Sequence, residues 1–261
     1  MSIVILDRPG RPLLPYPQWL DAAPLLLTGR PRPAVNRTGY GGLRFLTGLG
    51  FTAETETAVR DLAARGQVTA IVAVDPADQV RAGGLRDLLG LPGQPKDAAL
   101  PLSDPVAARA LLRRAGIPVV RRAGVRRVCD LYWYAHRWGY PLLVRRRRAP
   151  DRPVVAELRD EKELRAFATG RLPVDAALVP DLTVESPVRG VRHRGPGIAV
   201  TDAALALLPD TPGHPCAVEA VRAVAGDWLI DTIHYDPRGA STRAAVRAQA
   251  ALPAAAREAA P

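Results

Sequence analysis

The chain has 261 residues, 36 basic against 26 acidic side chains and a formal net charge of +10, with 48% apolar residues. That length buries a sizeable core, divided over two or three lobes, and two cysteines exclude a disulfide framework. The charge alone would favour a polyanion, but Lys96 and Lys162 are the only lysines. Arginine, alanine, proline and glycine dominate, as in GC-rich coding, and no nucleic-acid-binding module accompanies the charge, so no nucleic-acid partner is expected.

The start, MSIVILD, lacks a basic region and reads as a first strand over Ser2–Leu6 rather than a signal peptide. A reducing cytoplasm is the expected compartment. The longest apolar runs, such as Ala22–Leu27, are too short to cross a bilayer, and no membrane partner is expected. Residues 11–44 read as loop, with repeated Pro and a Gly39-Tyr40-Gly41-Gly42 cluster whose backbone amides suit a phosphate cradle. Glu54–Arg65 has helical spacing, Val68–Val74 reads as a buried parallel strand, and Ala77–Leu89 is the next helix. Strand and helix alternate, as in a doubly wound α/β lobe.

Ser103-Asp104-Pro105 sets up a helix start, and Val106–Arg114 follows it. Ile117–Val120 reads as a strand and Asp130–Trp138 as a helix. Tyr140–Val144 is a strand running into Arg145–Arg148; Val154–Leu158 is another strand and Glu161–Ala168 another helix. Four consecutive arginines suit a lid that clamps phosphates, or else a solvated basic loop. Beyond, Ala176–Val179 is a short strand, Glu185–Gly197 a loop, and Thr201–Leu208 a helix or strand. The residues after Gly239 form a helix broken at Pro253 and frayed beyond it.

Ala217–Gly239 reads as a β-hairpin turning at Gly226-Asp227. A two-residue turn sets Glu219 opposite His234, and Glu219, His234 and Asp236 then share one face. Two acids and an imidazole, followed by Pro-Arg-Gly, suit a hard divalent cation and an anionic ligand. A three-residue loop moves Glu219 to the other face, and an edge hairpin with a solvated polar face is the plainer reading. His214 and Cys216 joining Glu219, His234 and Asp236 around zinc or iron is a further alternative, without a standard spacing.

In order and spacing, RAGGLRDLLGLPGQ (81–94), SDPVAARALLRRAGIPVV (103–120), GYPLLVR (139–145) and HYDPRG (234–239) resemble the ATP-grasp superfamily. Its members include biotin carboxylase, D-alanine–D-alanine ligase and the L-amino-acid ligases. The resemblance covers roughly residues 68–240. It implies an α/β (α+β) fold, diverged and shortened. A doubly wound lobe would span 1–102, a small α+β lid lobe 103–170, a β-rich lobe with the metal hairpin 171–240, and an Ala-rich tail 241–261. The implied chemistry is ATP-dependent joining of a small-molecule carboxylate to an amine through an acylphosphate, with a homodimer or a partner enzyme as the implied association. It places Mg²⁺, or Mn²⁺, on Glu219, Asp236 and His234, ATP on Arg145, Arg147, Val179 and Asp181, and a catalytic role on Arg238.

The departures favour a second reading, a grasp-like binding protein that has lost turnover. Pro105 stands where the family pattern has a lysine, and Arg145 replaces the lid lysine. The loop after it lacks the glycines that let amides approach a phosphate. Val179-Pro180-Asp181-Leu182 replaces the adenine hinge. His234 replaces the metal Glu and Asp236 the Asn, and an imidazole is a poorer Mg²⁺ ligand than a carboxylate.

Overall fold

The structure is a computed structural model that describes residues 2–9, 12–47, 53–66, 68–147, 152–171, 181–224, 226–236 and 242–251. In chain order its elements are β1 (Ser2–Asp7), α1 (Tyr16–Leu20), β2 (Leu25–Thr28), β3 (Gly42–Phe45), α2 (Glu54–Ala64), β4 (Val68–Ala73), α3 (Pro76–Leu89), α4 (Lys96–Ser103), α5 (Pro105–Arg114), β5 (Arg122–Val125), α6 (Val128–Trp138), β6 (Leu142–Arg146), β7 (Val154–Leu158), α7 (Glu161–Arg171), β8 (Leu182–Glu185), β9 (Gly190–Arg194), α8 (Ala199–Ala206), β10 (Cys216–Ala223), β11 (Trp228–Tyr235) and α9 (Thr242–Ala251). They form two compact units: Met1–Ser103 with Pro209–Ala217 and His234–Pro261, and Asp104–Leu208 with Val218–Ile233.

The first unit holds a parallel sheet in the order β3-β2-β1-β4. Val4, Leu6, Leu27, Val59, Ile71 and Leu85 fill one side of it. Ile5, Tyr16, Leu26, Val72 and Val246 fill the other. β1 and β4 are apolar nearly throughout because both faces are covered. Two strands arise where the sequence reads as loop. Leu25–Thr28 pairs β1 with all four residues, and Gly42–Phe45 extends the sheet from it. The glycine cluster is therefore not a phosphate cradle: Gly41 N–H donates to Pro24 O, and Gly42 begins a paired strand.

α3 starts on Asp75, whose carboxylate accepts from Ala77 N–H at 2.9 Å, and stops at Gly90, which adopts φ +60°. The helix expected between Gly239 and Pro253 is α9, which buries Ala245, Val246 and Gln249. Gln249 Oε1 accepts from Ala73 N–H at 3.0 Å and from Arg86 at 3.4 Å, and its amide nitrogen donates to Gly213 O at 2.8 Å. One glutamine thus anchors the helix to β4 and to the segment before β10.

The second unit carries an antiparallel sheet in the order β5-β8-β6-β7. Leu131, Leu142, Val144, Leu158, Leu164, Phe167 and Val184 form its core under α6 and α7. The strand read at Ile117–Val120 begins instead at Arg122; Val119 makes only an isolated bridge to Ile230. β9 forms in the stretch read as loop, and β8 ends on that stretch's first residue, Glu185. β9 pairs β10, and four of its five residues are exposed, so it carries no apolar alternation for a sequence reading to find. The strand expected at Ala176–Val179 lies outside the described residues. No helix among the described residues is long and apolar enough to cross a membrane.

Candidate functional site

The second unit gathers its charge on the open ends of β5, β6 and β8. Glu185, the last residue of β8, is buried, with 7% of its surface exposed. Arg122 forks onto it through Nε at 2.7 Å and Nη2 at 3.3 Å. Arg145 reaches Glu185 Oε2 at 3.4 Å, and Arg152 and Thr183 donate to Oε1. Arg122 continues to Asp231 on β11, donating to its backbone oxygen at 2.6 Å and its carboxylate at 3.0 Å. Arg192, from β9, closes the chain on Asp231 at 2.5 Å. Four guanidinium groups therefore meet two carboxylates.

Burial opposes ionisation of Glu185, but Arg122 and Arg152 outweigh it and hold the carboxyl below its ordinary range. Asp231 is depressed the same way, by Arg122 and Arg192 against burial. The arginines carry the opposite strain: burial, then the repulsion of Arg122, lowers Arg152, whose Nε has no hydrogen-bond partner among the described residues. The cluster thus holds two guanidinium groups more than carboxylates.

Of the expected ATP residues, Arg145 lies near the end of β6 and Arg147 just beyond it. Arg145 joins the Glu185 cluster and donates to Arg152 O at 3.0 Å. Arg147 instead grips Asp104 with two bonds of 3.0 and 2.7 Å. Asp104 is the N-cap of α5, accepting from Val106 N–H, so this guanidinium is tied to a helix start. Arg147 N–H also donates to Asp181 O at 2.7 Å, which brings these two expected residues together. Val179 and Arg238 lie outside the described residues.

The hairpin turns differently from the expectation. Ala223 N–H donates to Asp227 O, and Gly226 N–H to Ala223 O, so three residues intervene rather than two. Gly226 has φ +110°, a conformation that favours glycine, as in a loop closed by a bulge. Glu219 consequently stands opposite Asp231, not His234. The Arg192–Asp231 bond agrees, since Arg192 pairs Val221 on the face that Glu219 shares. Further along, Asp236 N–H donates to Pro215 O, which requires one extra residue in β11. The buried positions Ile230, Ile233 and Tyr235, spaced three and then two apart, locate that insertion. Glu219, within 3.8 Å of Arg194, falls in the second unit, whereas His234 and Asp236 fall in the first.

His214 is buried, with Nδ1 at 3.0 Å from Pro212 O and Nε2 without a partner among the described residues. Burial, with Arg86 second, lowers its pKa to about 4. Among the described residues no three His, Cys, Asp or Glu side chains converge as a metal cluster, which holds for Glu219, His234 and Asp236 as it does for their extension by His214 and Cys216. At the carboxyl ends of β1 and β2, Asp7 accepts from Thr28 and Arg30, and Arg8 grips Asp78. Tyr40 nearby is pushed up to about 12 by burial and by Asp7. These pairs are internally satisfied.

No protein-family model matches the sequence, and no curated protein matches it either. Solved structures do. The L-amino acid ligase of Bacillus licheniformis superposes with a TM-score of 0.66 at 15% identity, over 93% of this chain and 69% of that one. The N5-carboxyaminoimidazole synthetase of Staphylococcus aureus, crystallised with ADP, gives 0.65 at 13% identity, over 96% and 76%. The biotin carboxylase domain dimer of the Hydrogenobacter thermophilus 2-oxoglutarate carboxylase, crystallised with MgADP, ADP and bicarbonate, gives 0.67 at 13% identity, over 95% and 69%. The chain has the ATP-grasp fold. Within that fold it is most simply described by its similarity to ligases and carboxylases that share its shape at low identity.

Proposed function

We propose that the protein binds ATP and joins a small-molecule carboxylate to an amine through an acylphosphate. The observation that carries this reading is the arginine-rich cluster around Glu185, on a sheet whose fold is that of nucleotide-dependent ligases. Arg145, Arg152 and Arg122 are the groups for the phosphates, because their charge exceeds that of Glu185 and Asp231. Their fixed positions would stabilise charge developing on a transferring phosphoryl group without reorganisation. Asp181 and Val179 are proposed beside the adenine, and Arg238 beside the transferred phosphate or the acyl carboxylate. Arg147 acts indirectly, holding the start of α5 against the edge of β6.

Glu219, Asp236 and His234 are proposed for the metal. The two carboxylates fit Mg²⁺ and the imidazole fits it less well; Mn²⁺ tolerates the mixed set. This assignment rests on the resemblance of residues 219–239 to the ATP-grasp pattern. When bound, the metal would supply charge neutralisation to the phosphates. A homodimer or a partner enzyme, and residence in the cytoplasm, belong to the same proposal.

A second reading, a grasp fold retained for binding without turnover, is favoured by one observation. Arg145, Arg147 and Arg152 are already engaged with Glu185 and Asp104. Titration calorimetry with ATP, with and without Mg²⁺, separates these readings. The ligase reading expects metal-dependent binding weakened by Arg145→Ala and by Glu219→Ala, together with ADP release when carboxylates and amines are supplied. Binding without any ADP release selects the second reading, and no heat at millimolar nucleotide removes both.

A further inference from the structure

The net charge of the chain sits in one segment. Residues 105–148 contain twelve arginines and a single acid, Asp130, a balance of 12 − 1 = +11. The other residues carry 36 − 12 = 24 basic and 26 − 1 = 25 acidic side chains, a balance of −1. A coding bias raises arginine along the whole chain. It does not remove acids from one stretch of forty-four residues while matching them elsewhere.

The folded second unit sorts nine of these twelve arginines into two sets. Arg122, Arg145 and Arg147 turn inward onto carboxylates. Arg113 and Arg114 in the last turn of α5, Arg121 before β5, Arg126 and Arg127 leading into α6, and Arg137 on α6 are exposed. None of these six forms an ion pair among the described residues. Asp130 accepts the backbone N–H groups of Arg126 and Arg127 at 2.7 and 2.9 Å and thereby caps α6. The repulsion reaches inward: burial, then Arg113 and Arg122, lowers the pKa of Arg109. Like charges gathered without counter-charges destabilise an isolated fold and are relieved by an anionic partner.

We propose that this exposed arginine surface of the second unit docks an acidic protein segment. Arginine's planar fork pairs carboxylates and phosphates alike, so the choice between an acidic protein and a nucleic acid rests on what lies among the arginines. Nucleic acid is the less suited polyanion. Trp133, the large aromatic exposed among these arginines, has Arg137 stacked over its ring at 5.2 Å and the Tyr134 ring edge-on at 4.8 Å. It is not presented as a platform for a base. The surface lies apart from the Glu185 cluster in the residues it uses, so the inference does not depend on nucleotide turnover.

The test is a fluorescence-anisotropy titration of the full chain with a labelled glutamate-rich peptide, at about 0.05 and about 0.2 M salt. Duplex DNA and phosphatidylserine vesicles serve as competing probes. A variant with Arg113, Arg114, Arg126 and Arg127 changed to Gln is compared with one in which Arg60, Arg65, Arg243 and Arg247, exposed in the first unit, are changed to Gln. The net charge of the two variants is then equal, and circular dichroism checks that both are folded. The expected result is salt-sensitive peptide binding that weakens about tenfold or more in the first variant only. Equal loss in both variants, no peptide binding by the unmodified chain, or tighter binding of DNA or vesicles than of peptide overturns the proposal.

Discussion

Two arginines, each less than 4% exposed, solve the burial of a cation in opposite ways. Arg86, in the first unit, donates to neutral oxygens: Ile71 O at 2.7 Å, Gln94 O at 3.1 Å and Gln249 Oε1 at 3.4 Å. Burial dominates there and lowers its pKa to about 10. Arg122, in the second unit, lies between the carboxylates of Glu185 and Asp231. The first arrangement is closed and joins α3, β4 and α9. The second remains charged, with two guanidinium groups more than carboxylates.

The contrast is broken most severely at Arg86. Changing it to Met removes the donor and leaves the carbonyls of Ile71 and Gln94, buried with it, without that partner. The expected loss is about 4 kcal/mol of stability, as for breaking a buried polar network. Chemical denaturation followed by circular dichroism measures it. Added ATP is not expected to restore what is lost, because the deficit lies in the junction of α9 with β4. A loss below about 1 kcal/mol would mean that water readily replaces the guanidinium.

His214 sharpens the same comparison through pH. Its folded pKa, about 4, lies below the ordinary 6.5, so the folded chain resists its protonation. The stability it contributes is fully present above pH 6.5, declines as pH falls toward 4, and changes no further below that. The span corresponds to about 3 kcal/mol at most. His214→Asn keeps a donor toward Pro212 O and is expected to flatten the stability curve between pH 6.5 and 4. An unchanged curve would remove His214 from the acid sensitivity. Glu185 and Asp231 act lower on the scale. Both are depressed, so their stabilisation is present above the unfolded carboxyl values and lost as pH falls through the folded ones.

Arg122→Ala is expected to cost less than Arg86→Met, about 2 kcal/mol, because Glu185 keeps Arg145 and Arg152 and Asp231 keeps Arg192. A double-mutant cycle with Glu185→Gln checks this. Strong coupling is expected, and additive losses would show that the fork contributes only packing. The same arginine shows why the site was only partly legible in the sequence. Its carboxylate partners lie 63 and 109 residues away, on β8 and β11, and no local spacing announces them. Arg145 was legible because a run of apolar residues leads straight into it. Glu185 was not, because its strand is only four residues long and sits in a polar, proline-interrupted stretch. β2 was hidden the same way, its Leu-Leu-Leu-Thr flanked by turn residues. The hairpin was legible as a hairpin, but its register was not. Gly226-Asp227 is compatible with loops of two or three residues, and only the hydrogen bond from Ala223 to Asp227 decides.

The smallest effect belongs to the exposed pairs on α7. Arg165 lies 3.2 Å from Glu161, one helical turn away, and both side chains are about two-thirds exposed. Solvent screens the attraction, and ordering two long side chains offsets much of the rest. Arg165→Gln is therefore expected to change stability by about 0.3 kcal/mol, and by less at high salt. Thermal melts at low and high ionic strength measure it. This sets the scale for the interior arginines, since the same two charge types one turn apart in solvent contribute roughly a tenth of what Arg86 contributes when water is excluded. A salt-independent loss above about 1 kcal/mol would show instead that Arg165 contributes through packing of its aliphatic stem.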